Sequence, residues 1–152
     1  MAKRFVRKEN IIYNASLLAG AQGSVNLYTT ATARRETMVG IKGNITLTLD
    51  APSTTGNAAI SMVLAYVPND QATPTISTTL NTAISDFLPN VVWSYHALLD
   101  EDNTNFINIP IDVKTMRKCK EGDRIAFYVR GDSSGTILYL VAGNFNTFLL
   151  ES

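Results

Sequence analysis

Apolar and polar residues alternate along most of this chain with a period of two, which is the spacing of a strand that buries one face. The clearest case is residues 37–49, where Val39, Ile41 and Leu47 are apolar and the intervening positions are mostly polar. Gly43 interrupts this apolar series and predicts a bulge or kink there. Further strand segments are predicted at residues 11–16, 25–29, 58–67, 91–98, 105–113, 124–130 and 136–150.

These segments predict an all-β domain, a single antiparallel jelly-roll sandwich of about eight strands. Residues 58–67 are apolar at nearly every position, so this strand is expected to be covered on both faces. Residues 124–130 and 136–150 flank the turn-rich sequence GDSSG and are predicted to form a long hairpin. The predicted core includes Val39, Ile41, Leu47, Val63, Leu64, Phe127 and Leu138.

The composition agrees with one β-rich domain. The chain has 152 residues, of which 45% are hydrophobic and 17% charged. Cys119 is the only cysteine, which excludes an intrachain disulfide and a cysteine-based zinc site and favours an intracellular setting. The basic start lacks the apolar segment of a signal peptide, and no apolar run approaches the roughly 20 residues of a membrane span. Neither secretion nor membrane association is therefore expected.

The net charge of zero hides an uneven distribution. Residues 1–35 hold six basic residues and one acid, a net charge of +5, while the remainder holds seven basic and twelve acidic residues, a net charge of −5. We predict a flexible basic arm at residues 1–9, followed by the folded domain at residues 10–152. Such an arm either binds phosphates through its charge or only keeps the chain soluble, and its composition leaves both open. The candidate nucleic-acid-binding residues are Lys3, Arg4, Arg7, Lys8, Arg34 and Arg35.

The sequence gives little support to catalysis or metal binding. His96 is the only histidine, so a structural or surface role is favoured over a catalytic one. The oxygen-rich residues 100–103 could hold a calcium ion, but they lack the spacing of a dedicated loop, and a solvated acidic turn is the favoured interpretation. We predict no catalytic residue, metal site or cofactor, and the chain is not expected to be an enzyme.

Three segments resemble a known family. Residues 111–125 (IDVKTMRKCKEGDRI) and the closing residues 142–148 (AGNFNTF) resemble the C-terminal part of capsid proteins from small circular single-stranded DNA viruses that encode a replication initiator (CRESS-DNA viruses). Residues 33–43 (ARRETMVGIKG) resemble an early strand of the same group. The arginine-rich tract with which such proteins often begin is much shorter in this chain.

The resemblance implies a jelly-roll coat protein. About 60 copies, or a multiple, would form an icosahedral shell around single-stranded DNA, with sequence-independent binding and the arm inside. The location would be the virion, assembled inside the host cell. The loop at residues 68–89, with a short helix expected near residues 79–87, and the acidic turn at residues 100–103 would lie on the exterior or at subunit contacts.

Two other classes of function remain as alternatives. A trimeric jelly-roll ligand or receptor-binding module of the tumour-necrosis-factor or C1q type fits the same fold, but the missing signal peptide and disulfides count against it. An enzyme on a sandwich scaffold, such as a glycan-degrading one, would need paired acids at a recognisable spacing. No such pair is recognisable in the sequence.

Overall fold

The computed structural model describes residues 6–18, 21–30, 35–49, 57–71, 90–100, 106–133 and 138–151. The regular structure within these ranges is β-strand, as predicted. The strands are β1 (Val6–Leu18), β2 (Gln22–Thr29), β3 (Glu36–Leu49), β4 (Asn57–Val67), β5 (Val91–Asp100), β6 (Phe106–Cys119), β7 (Arg124–Ser133) and β8 (Leu138–Glu151). In this described part of the chain, no helix has the length and apolar character to cross a membrane.

The strands form two four-stranded antiparallel sheets. Sheet A has the order β1-β8-β3-β6, and sheet B has the order β2-β7-β4-β5. Strands that follow one another in the chain change sheet at every step except from β4 to β5, and the result is the predicted jelly-roll sandwich. β1 and β2 end the two sheets on one lateral side of the sandwich, and β6 and β5 end them on the other.

The hairpin predicted from residues 124–130 and 136–150 is wrong. β7 lies in sheet B between β2 and β4, whereas β8 lies in sheet A between β1 and β3. Alternating side chains identify a strand but do not select its partner. The two strands instead approach each other across the core, where a Cβ atom added to Gly131 of β7 would lie 2.8 Å from the Tyr139 ring of β8.

A β-bulge at Val39 changes which positions of β3 face the core. The register with β8 shifts between Met38 and Gly40, so β3 holds one extra residue there. Such an extra residue inverts the alternation of side chains on its two sides. Glu36 and Met38 are therefore buried before the bulge, whereas buried positions after it are odd-numbered from Ile41 onwards.

This bulge corrects two predictions. The sequence places Val39 in the core, but Val39 is half-buried because Met38 takes the inward position. The sequence also places the irregularity at Gly43, through which the register continues unbroken to both neighbouring strands. Gly43 has another role, because a Cβ atom there would collide with the backbone carbonyl oxygen of Asn144.

Two hydrophobic clusters lie on opposite faces of sheet B. The first fills the space between the sheets around Phe127 and Phe145, whose ring centroids are 5.0 Å apart. The second lies on the outer face of sheet B and consists of Val63, Ala65, Val67, Ala126 and Tyr128, with Val91 against it. β4 contributes to both clusters, which confirms that it is covered on both faces.

Most of the predicted core is confirmed. The buried residues among those predicted are Ile41, Leu47, Val63, Leu64 and Phe127. The side chain of Leu138 lies outside the described part, as do residues 72–89 and 101–105. The predictions for the long loop, its short helix and most of the acidic turn therefore stay predictions.

β1 begins at Val6, inside the segment predicted to be a flexible arm. Residues 6–9 pair with β8 and belong to sheet A, so the folded domain begins before residue 10. Two side chains of this segment, Arg7 and Glu9, also take part in a side-chain network described below. Residues 1–5 lie outside the described ranges.

Candidate nucleic-acid interface

The outer face of sheet A carries four exposed lysines. The alternation of side chains along β1, β3 and β6 turns Lys8, Lys42, Lys114 and Lys118 away from the core. We call this set the lysine face. Asp112 on β6 is the one acidic residue described on the same side of the sheet, so four lysines less one aspartate leave a net charge of +3 there.

The lysines lie in adjoining rows of the sheet. Lys42 is opposite Asp112, and the next pair along is Gly40 opposite Lys114. Diagonal neighbours of this kind lie about 7–8 Å apart, so Lys42 and Lys114 are close in space. Lys8 lies in the row of Gly40, on the far side of β8. The distance between Lys42 and Lys114 is comparable to the Debye length of about 8 Å at physiological salt, so the fields of these two cations overlap.

A strip of asparagines continues this face. The Asn10 amide donates hydrogen bonds to the Oδ1 atoms of Asn144 and Asn146, both at 2.8 Å, and to the Phe145 carbonyl at 3.3 Å. These bonds engage the side-chain oxygens of Asn144 and Asn146 and not their NH₂ groups. Amide NH₂ groups beside lysines suit phosphate oxygens, which only accept hydrogen bonds.

Arg7, a predicted phosphate contact, lies on the inner side of β1 instead. Its Nη2 atom donates to Glu36 Oε2 at 2.7 Å, and its Nη1 atom is 3.0 Å from Glu9 Oε1. The guanidinium carbon is 5.8 Å from the centroid of the Tyr28 ring. The Glu36 side chain is only 2% exposed, and it faces inward because of the bulge at Val39. A guanidinium compensated by two carboxylates is a poor contact for a phosphate.

Asp123 is a second buried carboxylate. Asp123 accepts hydrogen bonds from the Tyr66 hydroxyl at 2.5 Å, the Lys120 amide at 2.7 Å and the Asn69 amide at 3.1 Å. Burial alone would raise the pKa of Asp123, but these hydrogen bonds, chiefly the one from Tyr66, hold it below the ordinary value of 3.8. The Asp123 carbonyl also accepts from the Thr30 amide at 3.0 Å, just beyond the end of β2. We call the Arg7–Glu36 pair and Asp123 together the buried charges.

The remaining predicted residues divide between exposed and undescribed positions. Lys3, Arg4 and Arg34 lie outside the described ranges. Arg35 is exposed and lines a cleft of about 460 Å³ together with Lys118, so it lies beside the lysine face. Of the predicted set, the structure thus brings Lys8 onto this face and Arg35 to its border, and it separates Arg7 from both.

Lys114 and Lys118 were not among the predicted contacts. The sequence contains a pattern that could have identified both lysines. Alternate positions of this segment are exposed, namely Asp112, Lys114, Met116 and Lys118. The strand predicted from the sequence ends at residue 113, whereas β6 continues to Cys119. A longer strand would have placed both lysines on one side of the sheet.

The other potentially reactive side chains, those of His96 and Cys119, have surroundings typical of residues with a structural role. His96 Nδ1 lies 2.9 Å from Ser61 Oγ, and the two residues face each other across β5 and β4. Ser61 is 4% exposed, so its hydroxyl is covered. Burial, and then the nearby Asp123, raise the pKa of the Cys119 thiol to about 11, which keeps it protonated at neutral pH. Among the described residues, no three His, Cys, Asp or Glu side chains are grouped to hold a metal ion.

Exposed apolar side chains concentrate on strands that end a sheet. Of the eight large ones described, seven lie on β1, β5 or β6 and one lies on the inner strand β8. Those on the edge strands are Val6, Ile12 and Leu18 of β1, Tyr95 and Leu98 of β5, and Phe106 and Met116 of β6. Exposed apolar surface therefore lies along the strands that border both lateral sides of the sandwich, and on β1 and β6 it points to the outer face of sheet A.

No protein-family model and no curated protein matches this chain. Among solved structures, it is similar to desmodium yellow mottle tymovirus, with 10% identity over 97% of this chain and 89% of that chain and a TM-score of 0.44. It is also similar to the VP2 subviral particle of infectious bursal disease virus (10% identity, 96% of this chain, 32% of that chain, TM-score 0.43). The decameric BFDV capsid protein is another similar structure (8% identity, 99% of each chain, TM-score 0.38). Similarities at this level carry no argument about function.

Proposed function

We propose that this chain is a structural coat protein whose copies associate side by side into an icosahedral shell around single-stranded DNA, with about 60 copies or a multiple of that number. The observation that carries the proposal is the concentration of exposed apolar side chains on the edge strands β1, β5 and β6. Neighbouring copies that associate along these edge strands cover the apolar rims of the sheets and leave the rest of each broad side for the interior and exterior of a shell. Burial of apolar area at such contacts is the driving force for association.

The two lateral sides differ, which favours assembly beyond a dimer. One side presents β1, and the other presents β5 and β6. A contact between different sides of two copies is heterologous, and heterologous contacts extend beyond a dimer, into closed assemblies where the rotation closes and into filaments where it does not. This pattern supports many-membered assembly, and the resemblance of residues 111–125 and 142–148 to capsid proteins supports the viral origin and the DNA genome. The role is non-catalytic, within a virion assembled in the host cell.

Negative-stain microscopy of the purified full-length chain tests this function. Closed shells are the expected result, whereas compact trimers would favour the ligand or receptor-binding alternative and monomers would reject assembly. The variant Leu98→Lys/Met116→Lys places two charges on the edge strands β5 and β6 and should abolish shells. Asn44→Lys is the matched control, because Asn44 is exposed on the inner strand β3, and this variant should still assemble. Circular dichroism should report unchanged β-structure in both variants.

A further inference from the structure

We propose that the lysine face of sheet A binds the phosphate groups of single-stranded nucleic acid and is the main phosphate contact of this chain, in place of the basic segment at residues 1–9, from which it takes only Lys8. The inference rests on the proposed coat-protein function and adds to it the surface that meets the genome. It assigns the contact to Lys8, Lys42, Lys114 and Lys118, of which three lie far from the N-terminus in sequence.

The bulge in β3 concentrates positive charge on this face. It turns Glu36 inward, where the carboxylate holds Arg7 between the sheets. Had the alternation continued unbroken, Glu36 would lie on the outer side of β3, close to Lys118, and would reduce the positive potential there. The outer side instead has four lysines against Asp112 alone among its described residues. A cluster of one sign on one side of a fold is the electrostatic footprint of a polyanion-binding surface.

The same face offers room for bases as well as phosphates. Beyond the asparagine strip lies a hollow of about 450 Å³, lined by small or polar side chains that include Asn14, Thr46 and Ala142 and by the exposed Leu140. A single strand can place unpaired bases in such a hollow, whereas a duplex keeps its bases stacked inside. Lysines that bind phosphates, next to a hollow that holds bases, therefore favour a single-stranded nucleic acid over a duplex as the ligand.

The number of lysines sets the expected salt dependence. Each phosphate neutralised on a single strand contributes about −0.7 to the slope of log K against log salt, so four contacts give about −2.8. The association constant should then fall about 50-fold when salt rises four-fold. Each lysine removed from the face should make this slope about 0.7 less steep.

The test uses fluorescence anisotropy of a labelled oligothymidylate with the full-length chain over a salt series. The variant Lys42→Gln/Lys114→Gln/Lys118→Gln removes three charges from the lysine face. The control Lys3→Gln/Arg4→Gln/Arg124→Gln removes three charges that are not among the four lysines, of which Arg124 lies on the outer face of sheet B. The slope of log K against log salt should become about 2 less steep in the lysine-face variant and should keep the wild-type value in the control. Equal losses, or a larger loss in the control, would overturn the proposal.

Two further probes define the ligand. A DNA duplex of equal length should bind more weakly than oligothymidylate, and equal or tighter duplex binding would overturn the preference for a single strand. Heparin is the probe for a generic polyanion, and tighter binding of heparin would overturn nucleic acid as the ligand. A wild-type chain that binds none of these probes would reject the lysine face as a binding site altogether.

Microscopy separates this inference from the proposed function. Shells of the face variant with a lower absorbance ratio at 260 to 280 nm than wild-type shells support both. Shells with an unchanged ratio reject the lysine face but leave the coat-protein function intact. Salt-dependent oligothymidylate binding by a wild-type chain that forms no shells rejects the coat-protein function and leaves the lysine face as a nucleic-acid site.

Discussion

The Arg7–Glu36 pair among the buried charges and the lysine face are built from the same strands but have opposite surroundings. Arg7 and Lys8 are adjacent on β1, yet Arg7 is held by Glu36 between the sheets while Lys8 is exposed. β3 likewise turns Glu36 inward and Lys42 outward. Inside, each charge has partners and contributes to the stability of the fold, whereas outside, like charges stand together where they can attract a polyanion. The net charge of zero is a sum over both regions and describes neither of them.

Arg7→Gln should have the largest effect on stability. The substitution leaves the Glu36 carboxylate buried without its guanidinium partner, which costs about 3–5 kcal/mol for a fully buried pair. The Arg7 side chain is 34% exposed, and solvent screening reduces the expected loss in the free energy of unfolding to about 2–3 kcal/mol. Denaturant unfolding followed by the fluorescence of Trp93, the single tryptophan, measures this loss.

Lys8→Gln is the matched control for that variant. Lys8 is exposed, so its removal should change the free energy of unfolding by less than about 0.5 kcal/mol. The same variant should make the salt dependence of oligothymidylate binding less steep, whereas Arg7→Gln should leave it unchanged. Equal losses of stability in the two variants would contradict the separation of the two regions.

Asp123→Asn should have the next largest effect, and the effect should depend on pH. Because the pKa of Asp123 is lowered in the folded state, its contribution to stability is present above the unfolded pKa of about 3.9 and is lost as pH falls through the folded pKa. At neutral pH the variant should lose about 1–2 kcal/mol of unfolding free energy, since asparagine accepts weaker hydrogen bonds from Tyr66 and the backbone amides.

Unfolding midpoints measured from neutral to strongly acidic pH test this prediction. The wild-type chain should lose stability below about pH 4, and the variant should lose less over the same range. Asp112→Asn is the matched control, because Asp112 is exposed on the lysine face. An Asp123→Asn curve that follows the wild-type curve at every pH would show that the buried carboxylate does not contribute as described.

Asp112→Asn should have the smallest effect, and its effect should be on binding. Asp112 lies opposite Lys42 and is the one acid described on the lysine face, so its removal increases the local positive potential. The affinity for oligothymidylate at low salt should rise about two- to three-fold, which corresponds to the weak interaction of exposed charges. Asp70→Asn, at an exposed turn beyond β4, should leave the affinity unchanged. A rise of the same size in both variants would point to net charge instead of this face.

The sequence by itself determined which segments are strands and which of them are buried. Alternation and apolar runs depend on neighbours within one strand. The described residues of all eight predicted segments accordingly lie in strands, and β4 is covered on both faces. Two of the residues predicted from the sequence belong to the candidate site: Lys8 lies on the lysine face and Arg35 lies at its border.

The tertiary structure decided how the strands pair and where each charge points. β7 and β8 joined different sheets because partners are selected by contacts between residues far apart in the chain, which no local pattern contains. One extra residue at Val39 inverted which side chains of β3 face the core. Glu36 therefore points inward and accepts a hydrogen bond from Arg7, 29 positions away in the chain. Lys114 and Lys118 joined Lys8 only because β6 and β1 lie in one sheet, with two other strands between them. A surface built from three strands exists only after those strands have paired, so its charge cannot be assigned from any one of them.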